Sequence, residues 1–526
     1  VWALVFGLGG CVDVPALSFE APADTGPLDA SGRVDAAPPP ADARRRSDVE
    51  VDPLPDATLA PRDAAPRDTG AALDAAASKP DAGRVADTGG TAPDVPGLVP
   101  VPDAAGPAPI PDANAPPVPD ANALPVPEVV ALTVPGPVTG RRFGSAVAIV
   151  PDQNGDGFAD VLVGAPRTGP RGGADSSALH LLDGRTGAAL SSFVERDDPN
   201  DFGAEFVAAP FVDDRDAWQV IAGAKGANGG AGRLSAYALP GLRRLDVVDG
   251  QVAGAQLGQT VTPAFENGRP LVMVSTPGIV IAPRLTIYGL RADGHDDYTL
   301  EQRLRVDADV LIASNVGVNL LGIPTPQGGG LDDVVAVGES GIIATRRVMR
   351  YRSAGTAEFR GEYVTPDADL TTGTSLLELP GAPPWLAVGT PGRDAGKVAV
   401  FVRDGGANGD PLLEMRPLGP ASLFGWSLAL APLLAPPADA TPFLCIGAPG
   451  GAPGLAGSVE CRAAGAEVNA LALDAPPDVA GFGRSLAVAT RHDPDDTWLL
   501  VVGAPETSTP EGVTGGVVLY RVTSPP

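Results

Sequence analysis

The chain has 526 residues with 64 acidic and 37 basic side chains, a formal net charge of −27 that argues against nucleic acid or an anionic membrane surface as partner. With 58 Pro, 67 Gly and only 5% aromatic residues, part of it cannot bury a core. Three His and three Cys leave little material for a transition-metal enzyme, and no zinc-ligand cluster is present.

The first eleven residues, VWALVFGLGGC, form an apolar run too short to span a bilayer, without an initiator Met or a basic leader. They are expected to be the truncated end of a secretory signal. Leu8-Gly9-Gly10-Cys11 resembles the bacterial lipobox, which implies lipidation of Cys11; the alternative is a chance buried thiol. A lipidated Cys11 implies a membrane anchor, since each buried CH₂ contributes about 0.8 kcal/mol and more than one acyl chain is attached.

Residues 12–127 are Ala, Pro and Asp with scattered Arg, and lack any apolar period of 2 or 3.6. Such composition cannot offset the entropy of ordering, so a disordered linker is expected. The near-repeat PDANAPPV (111–118) and PDANALPV (119–126) marks low complexity. Through residue 127 there are 19 acidic and 8 basic side chains, a net −11. At ~3.1 Å per residue in polyproline II form, such a linker extends a few hundred ångströms at most. It is a spacer through an envelope layer or a linker of no selected length.

From residue 128 the composition turns to β-branched runs punctuated by Gly and Pro. FGSAVAIVPDQNGDGFADVLVGAP (143–166) reads as a strand, an oxygen-rich turn and a second strand. The same pattern restarts at Phe143-Gly144, Phe202-Gly203, Leu257-Gly258, Val316-Gly317, Thr372-Gly373, Phe424-Gly425 and Phe482-Gly483, about every 56 residues. Each start is followed by a second apolar run ending in a GAP-like turn, a third run such as KVAVFVR (397–403), and a weaker fourth such as AALSSFV (188–194).

Between FG and GAP the unit resembles the FG-GAP repeat of integrin α-subunit heads and related bacterial surface proteins. The resemblance, with seven returns of four short strands, implies an all-β fold: a seven-bladed β-propeller over residues 128–526. The last unit ends with three strands, and EVVALTVPGPVTGRRFG (128–144) is similar to AEVNALALDAPPDVAGFG (466–483). Residues 128–137 are therefore expected to supply the missing outer strand and close the ring.

Oxygen ligands recur in the first unit's turn at Asp152, Asn154, Asp156, the carbonyl of Phe158 and Asp160, with Gly157 at the sharp bend. This is calcium-loop spacing of hard oxygen donors, and Ca2+ is the expected ion. Equivalent turns at 212–220 and 491–499 have lost ligands, and the run 404–410 falls where a Gly-rich hairpin suffices. Cys445 and Cys461 fall on neighbouring strands of the sixth unit, as a cross-strand disulfide or two buried thiols. His180, His295 and His492 share no nucleophile or carboxylate pattern, so no catalytic set is expected.

These readings imply a monomeric lipoprotein of the bacterial envelope, at the outer membrane or cell surface, presenting an integrin-like propeller to a protein or glycan. In the resembled family partners dock on the face made by loops joining second to third strands and blade to blade, which here include 167–177, 225–232, 392–396, 450–457 and 506–516. The other classes to weigh are a propeller hydrolase or lyase and a purely structural envelope component.

Overall fold

The computed structural model describes short strands at Ala3–Phe6 and Val12–Asp13 and, between residues 128 and 523, seven antiparallel sheets with most of their connections. Residues 14–127, Cys11 and several loops lie outside the described residues.

Six of the seven sheets are built on four strands in chain order, a blade in which every strand pairs with the next. Blade one contains Ala146–Val150, Asp160–Ala165, Ser177–Leu182 and Ala189–Glu195. Its first three strands are buried along their whole length, whereas the fourth is half-exposed. That gradient is why the first three read as continuous apolar runs and the fourth only weakly. The first strands of successive blades touch one another all the way round, the blade-seven strand Ser485–Ala489 meeting Ala146–Val150 of blade one. A ring of this kind is a β-propeller with the first strands innermost.

Blade seven takes its fourth strand from the other end of the domain. Glu128–Pro135 pairs antiparallel with Gly516–Thr523, from Glu128 opposite Thr523 to Pro135 opposite Gly516. The strand stops at Pro135, whose ring nitrogen has no proton to donate, two residues short of the span expected from sequence. Gly136 then donates its N–H to Gly515 O at 2.9 Å.

The core lies mainly between blades. Leu377, Leu379 and Val398 of blade five pack with Phe424, Leu428 and Leu444 of blade six, and Cys445 and Phe482 share a second cluster with Leu500 and Tyr520 of blade seven. Phe143, Phe202, Phe424 and Phe482 are all buried, and Phe482 meets Tyr520 edge-on at 6.1 Å. Fully burying such a side chain contributes about 1.5–3 kcal/mol.

The FG and GAP glycines act as one joint. Within a blade, the FG glycine donates its N–H to the GAP glycine carbonyl, as Gly144 does to Gly164 at 3.0 Å and Gly483 to Gly503 at 3.1 Å. Its own carbonyl points into the preceding blade. A Cβ on Gly503 would stand 2.1 Å from Gly144 O, so only glycine fits, while Gly144 itself has φ +90°. The same carbonyl accepts a side-chain donor placed two residues after the preceding blade's own FG-type glycine. Ser375 Oγ donates to Gly425 O at 2.7 Å, Ser427 Oγ to Gly483 O at 2.7 Å, and Ser485 Oγ to Gly144 O at 2.9 Å. Asn319 Nδ2 reaches Gly373 O at 3.1 Å in the same way.

Val316-Gly317, expected as an FG-type turn, instead lies inside the strand Ser314–Ile323, where the register shifts between Ser314 and Asn319. Val316 and Val318 favour extended backbone, and the glycine is absorbed as a bulge. The strand Ala3–Phe6, expected within the signal segment, pairs antiparallel with the innermost strand of blade two, Glu205–Ala209. An innermost strand leaves one backbone edge toward the axis, which extended chain can occupy.

Candidate functional site

The proposed calcium ligands fall on one exposed turn between the first two strands of blade one. Asp152 organises it: Oδ1 accepts N–H bonds from Asn154, Gly155 and Asp156 at 3.1, 2.7 and 3.3 Å, and Oδ2 accepts from Gly157 at 2.7 Å. Burial acts to raise its pKa, but these backbone donors outweigh that and hold the carboxyl below its ordinary value. Asp156 Oδ1 accepts from Phe158 N at 2.9 Å, and Arg185 lies over the Phe158 ring at 4.7 Å.

Asp160 differs because it opens a buried strand. Its Oδ2 accepts from Gln153 N at 2.7 Å and its Oδ1 from Gly184 N at 3.3 Å. Burial pushes it up to about 6, and the charges of Asp152 and Asp183 add to the rise against those two hydrogen bonds. Asp183, on the turn after the third strand, accepts from Asn154 Nδ2 at 3.1 Å. Sequence spacing gave no sign of it, since it lies a whole strand away from the loop.

As arranged, no three His, Cys, Asp or Glu side chains among the described residues converge on a single metal position. The donor set nonetheless fits a hard cation in kind: oxygens only, with a buried carboxylate facing two further carboxylates. Asp152, Asn154, Asp156, Asp160 and the Phe158 carbonyl are the residues that would hold it.

At one end of the ring the FG-type turns gather around a cavity of about 340 Å³ on the axis. Its wall draws on every blade, through residues such as Arg142, Glu205, Thr262, Asn319, Trp426 and Arg484. Arg142 precedes one FG pair and Arg484 follows another, so the pair carries its flanking residues to the axis.

Glu205 occupies in blade two the position that Ser375, Ser427 and Ser485 hold in theirs. Burial pushes it up to about 8 despite the nearby charge of Lys225, and its Oε2 is buried without a hydrogen-bond partner, although the residue as a whole is partly exposed at the cavity.

Cys445 and Cys461 face each other in paired strands and form a disulfide. His180 is a core residue: Nδ1 lies 2.8 Å from Ser192 Oγ, and its ring meets Phe143 edge-on at 5.4 Å. Burial, with Arg141 nearby, lowers it to about 4, which keeps it neutral. His295, His492 and most of the 404–410 and 491–499 runs lie outside the described residues. Of the expected docking loops, 225–232 and 506–516 are described throughout; the second carries a small hairpin pairing Ser508–Thr509 with Gly512–Val513.

The FG-GAP repeat family model matches residues 143–182, the first three strands of blade one with the oxygen-rich turn. No curated protein matches the chain. Among solved structures, an arginine-to-alanine triple mutant of AofleA from Arthrobotrys oligospora aligns at 12% identity over 66% of this chain and 90% of that one, with a TM-score of 0.39. Residues 143–182 are thus similar to the FG-GAP repeat, and the recurrence of the same strand order and glycine joint around the ring makes the fold a β-propeller.

Proposed function

We propose that the chain is a bacterial envelope lipoprotein, anchored through Cys11, that presents an integrin-like propeller on a 12–127 spacer to bind a protein or glycan. The observation that carries this reading is the convergence of FG turns from the whole ring on one axial cavity. A concave, mostly preformed site with a few polar groups is the usual form of a ligand pocket, and the second-to-third-strand loops rim the same end.

Calcium at 152–160 has a structural role in this reading. The loop joins first to second strand, at the opposite end of blade one from its FG turn, so the ion stiffens the blade without meeting the ligand. The buried, charge-crowded Asp160 supports it.

The test is binding of the full chain, replete with calcium, to arrayed glycans and envelope proteins, with product release followed in parallel. Saturable binding without turnover is expected. Hydrolysis of a polysaccharide or phosphodiester would overturn it in favour of an enzyme. Cys11→Ser should release the protein from the membrane fraction; unchanged fractionation would remove the anchor from the proposal.

A further inference from the structure

The axial cavity carries a charge opposite to that of the chain. Against a net −27, its wall holds Arg142, Arg167, Lys225 and Arg484 with only Asp201 and Glu205 as acids. Arg142 is exposed and makes no ion pair with a described residue. The Arg484 guanidinium carbon lies over the Trp426 ring at 3.8 Å from its centre, a cation–π contact that holds it in place. It is held below the ordinary arginine range by burial first; Glu506 opposes the shift and Arg142 adds to it. Two guanidiniums from adjoining blades therefore feel each other across the mouth.

On blade two, next round the ring from Arg142, Glu205 Oε2 is buried without a hydrogen-bond partner, an acceptor that an incoming hydroxyl would satisfy. The rest of the wall mixes polar Ser145, Thr262 and Thr374 with apolar Leu376 and Leu428.

We propose that the mouth is an anion site for the carboxylate of an acidic sugar residue, gripped by Arg142 and Arg484, with ring hydroxyls toward Glu205 and Lys225. The proposal rests on the binding reading above and names its ligand class. Three features select the class. Planar guanidiniums match a carboxylate in a two-pronged geometry. Asp201 in the wall opposes a doubly charged phosphate more than a singly charged carboxylate, while Glu205, protonated near neutral pH, repels neither. A cavity of about 340 Å³ walled by every blade admits a ring or two and gives no groove for an extended peptide.

Calorimetric titration of the full chain with glucuronate, glucose, inorganic phosphate and an acidic tetrapeptide tests it. Glucuronate is expected to bind at least about tenfold tighter than each of the others. Arg142→Gln and Arg484→Gln should each weaken glucuronate about tenfold, while Arg291→Gln, in an exposed ion pair of blade three, should not. If Arg484→Gln unfolds through loss of its Trp426 stack, Arg142→Gln, at an exposed position, decides alone. Equal affinity for glucuronate and glucose, or unchanged affinity in Arg142→Gln, overturns the anion site. Tighter binding of phosphate or peptide overturns the sugar assignment. Retained binding to an envelope glycan or protein when glucuronate fails overturns this inference and leaves the binding function standing; loss of both overturns both.

Discussion

Ser485 Oγ donates a 2.9 Å hydrogen bond to Gly144 O across 341 residues of sequence, joining the last blade of the ring to the first. The carbonyl it holds also rests on Gly503, so one backbone group of blade one is clasped by two positions of blade seven. Ser485→Ala leaves that carbonyl buried without its donor, and a loss of about 1–3 kcal/mol is expected. Thermal unfolding of Ser485→Ala beside Ser427→Ala, which breaks the same bond between blades six and seven, checks it. No change in either variant would show that the glycine contact alone holds the joint.

Removing residues 128–135 should cost far more than removing 20–110. The first deletion strips the partner from Gly516–Thr523 and leaves an apolar edge strand unpaired, an invitation to aggregation. Size-exclusion chromatography and melting of the two truncations measure the difference. Equal behaviour would refute closure by this strand.

Glu205 should make the protein less stable as pH rises above neutrality. In the native state it keeps its proton up to about 8, whereas unfolded it releases it near 4.5. Between those values the native state binds more protons, so stability falls with rising pH. His180 acts in the other direction but only below the ordinary histidine value of 6.5, so melting points from pH 6.5 to 8.5 isolate Glu205. Glu205→Gln should flatten that slope; a slope unchanged in the variant would assign it elsewhere.

Calcium should bind at one site and raise the melting point. At free calcium near a hundred times Kd the stabilisation is about 2.7 kcal/mol. Asp156→Ala should weaken binding more than tenfold and remove the calcium-dependent rise, while leaving the calcium-free melting point within about 1 kcal/mol, since Asp156 is exposed. Calorimetry finding two sites, or full affinity in the variant, would contradict the 152–160 assignment.

Reducing the Cys445–Cys461 bond, or replacing both residues by Ala, should cost about 3 kcal/mol, the loop-closure value for a separation of 16 residues. Melting with and without reductant gives the figure directly. Parity between the two would mean that packing around these buried positions, not the cross-link, supplies the stability there.

The fold was legible because its signals repeat. Three buried strands per blade write themselves as apolar runs, and the FG and GAP glycines stand where backbone meets backbone. The likeness of 128–144 to 466–483 also located an outer strand, because outer strands of different blades face the same mixture of solvent and core. Val316-Gly317 was misplaced because a glycine between two valines reads equally as a turn or a bulge, and only the pairing of Ser314–Ile323 decides. Asp183 and the pairing of Arg142 with Arg484 were hidden for another reason. Each depends on which turns the ring brings together, and sequence separation carries no trace of that.

The closing strand also decides how the molecule bears load. Glu128 pairs with Thr523, so the strand that closes the ring and the last strand of the chain lie side by side in one sheet. A pull applied between residues 128 and 523 enters at that pair and strains the hydrogen-bond ladder of blade seven before any other blade is loaded. Tension therefore meets the ring at its seam, and the ladder from Glu128 to Pro135 is the mechanical fuse of the molecule.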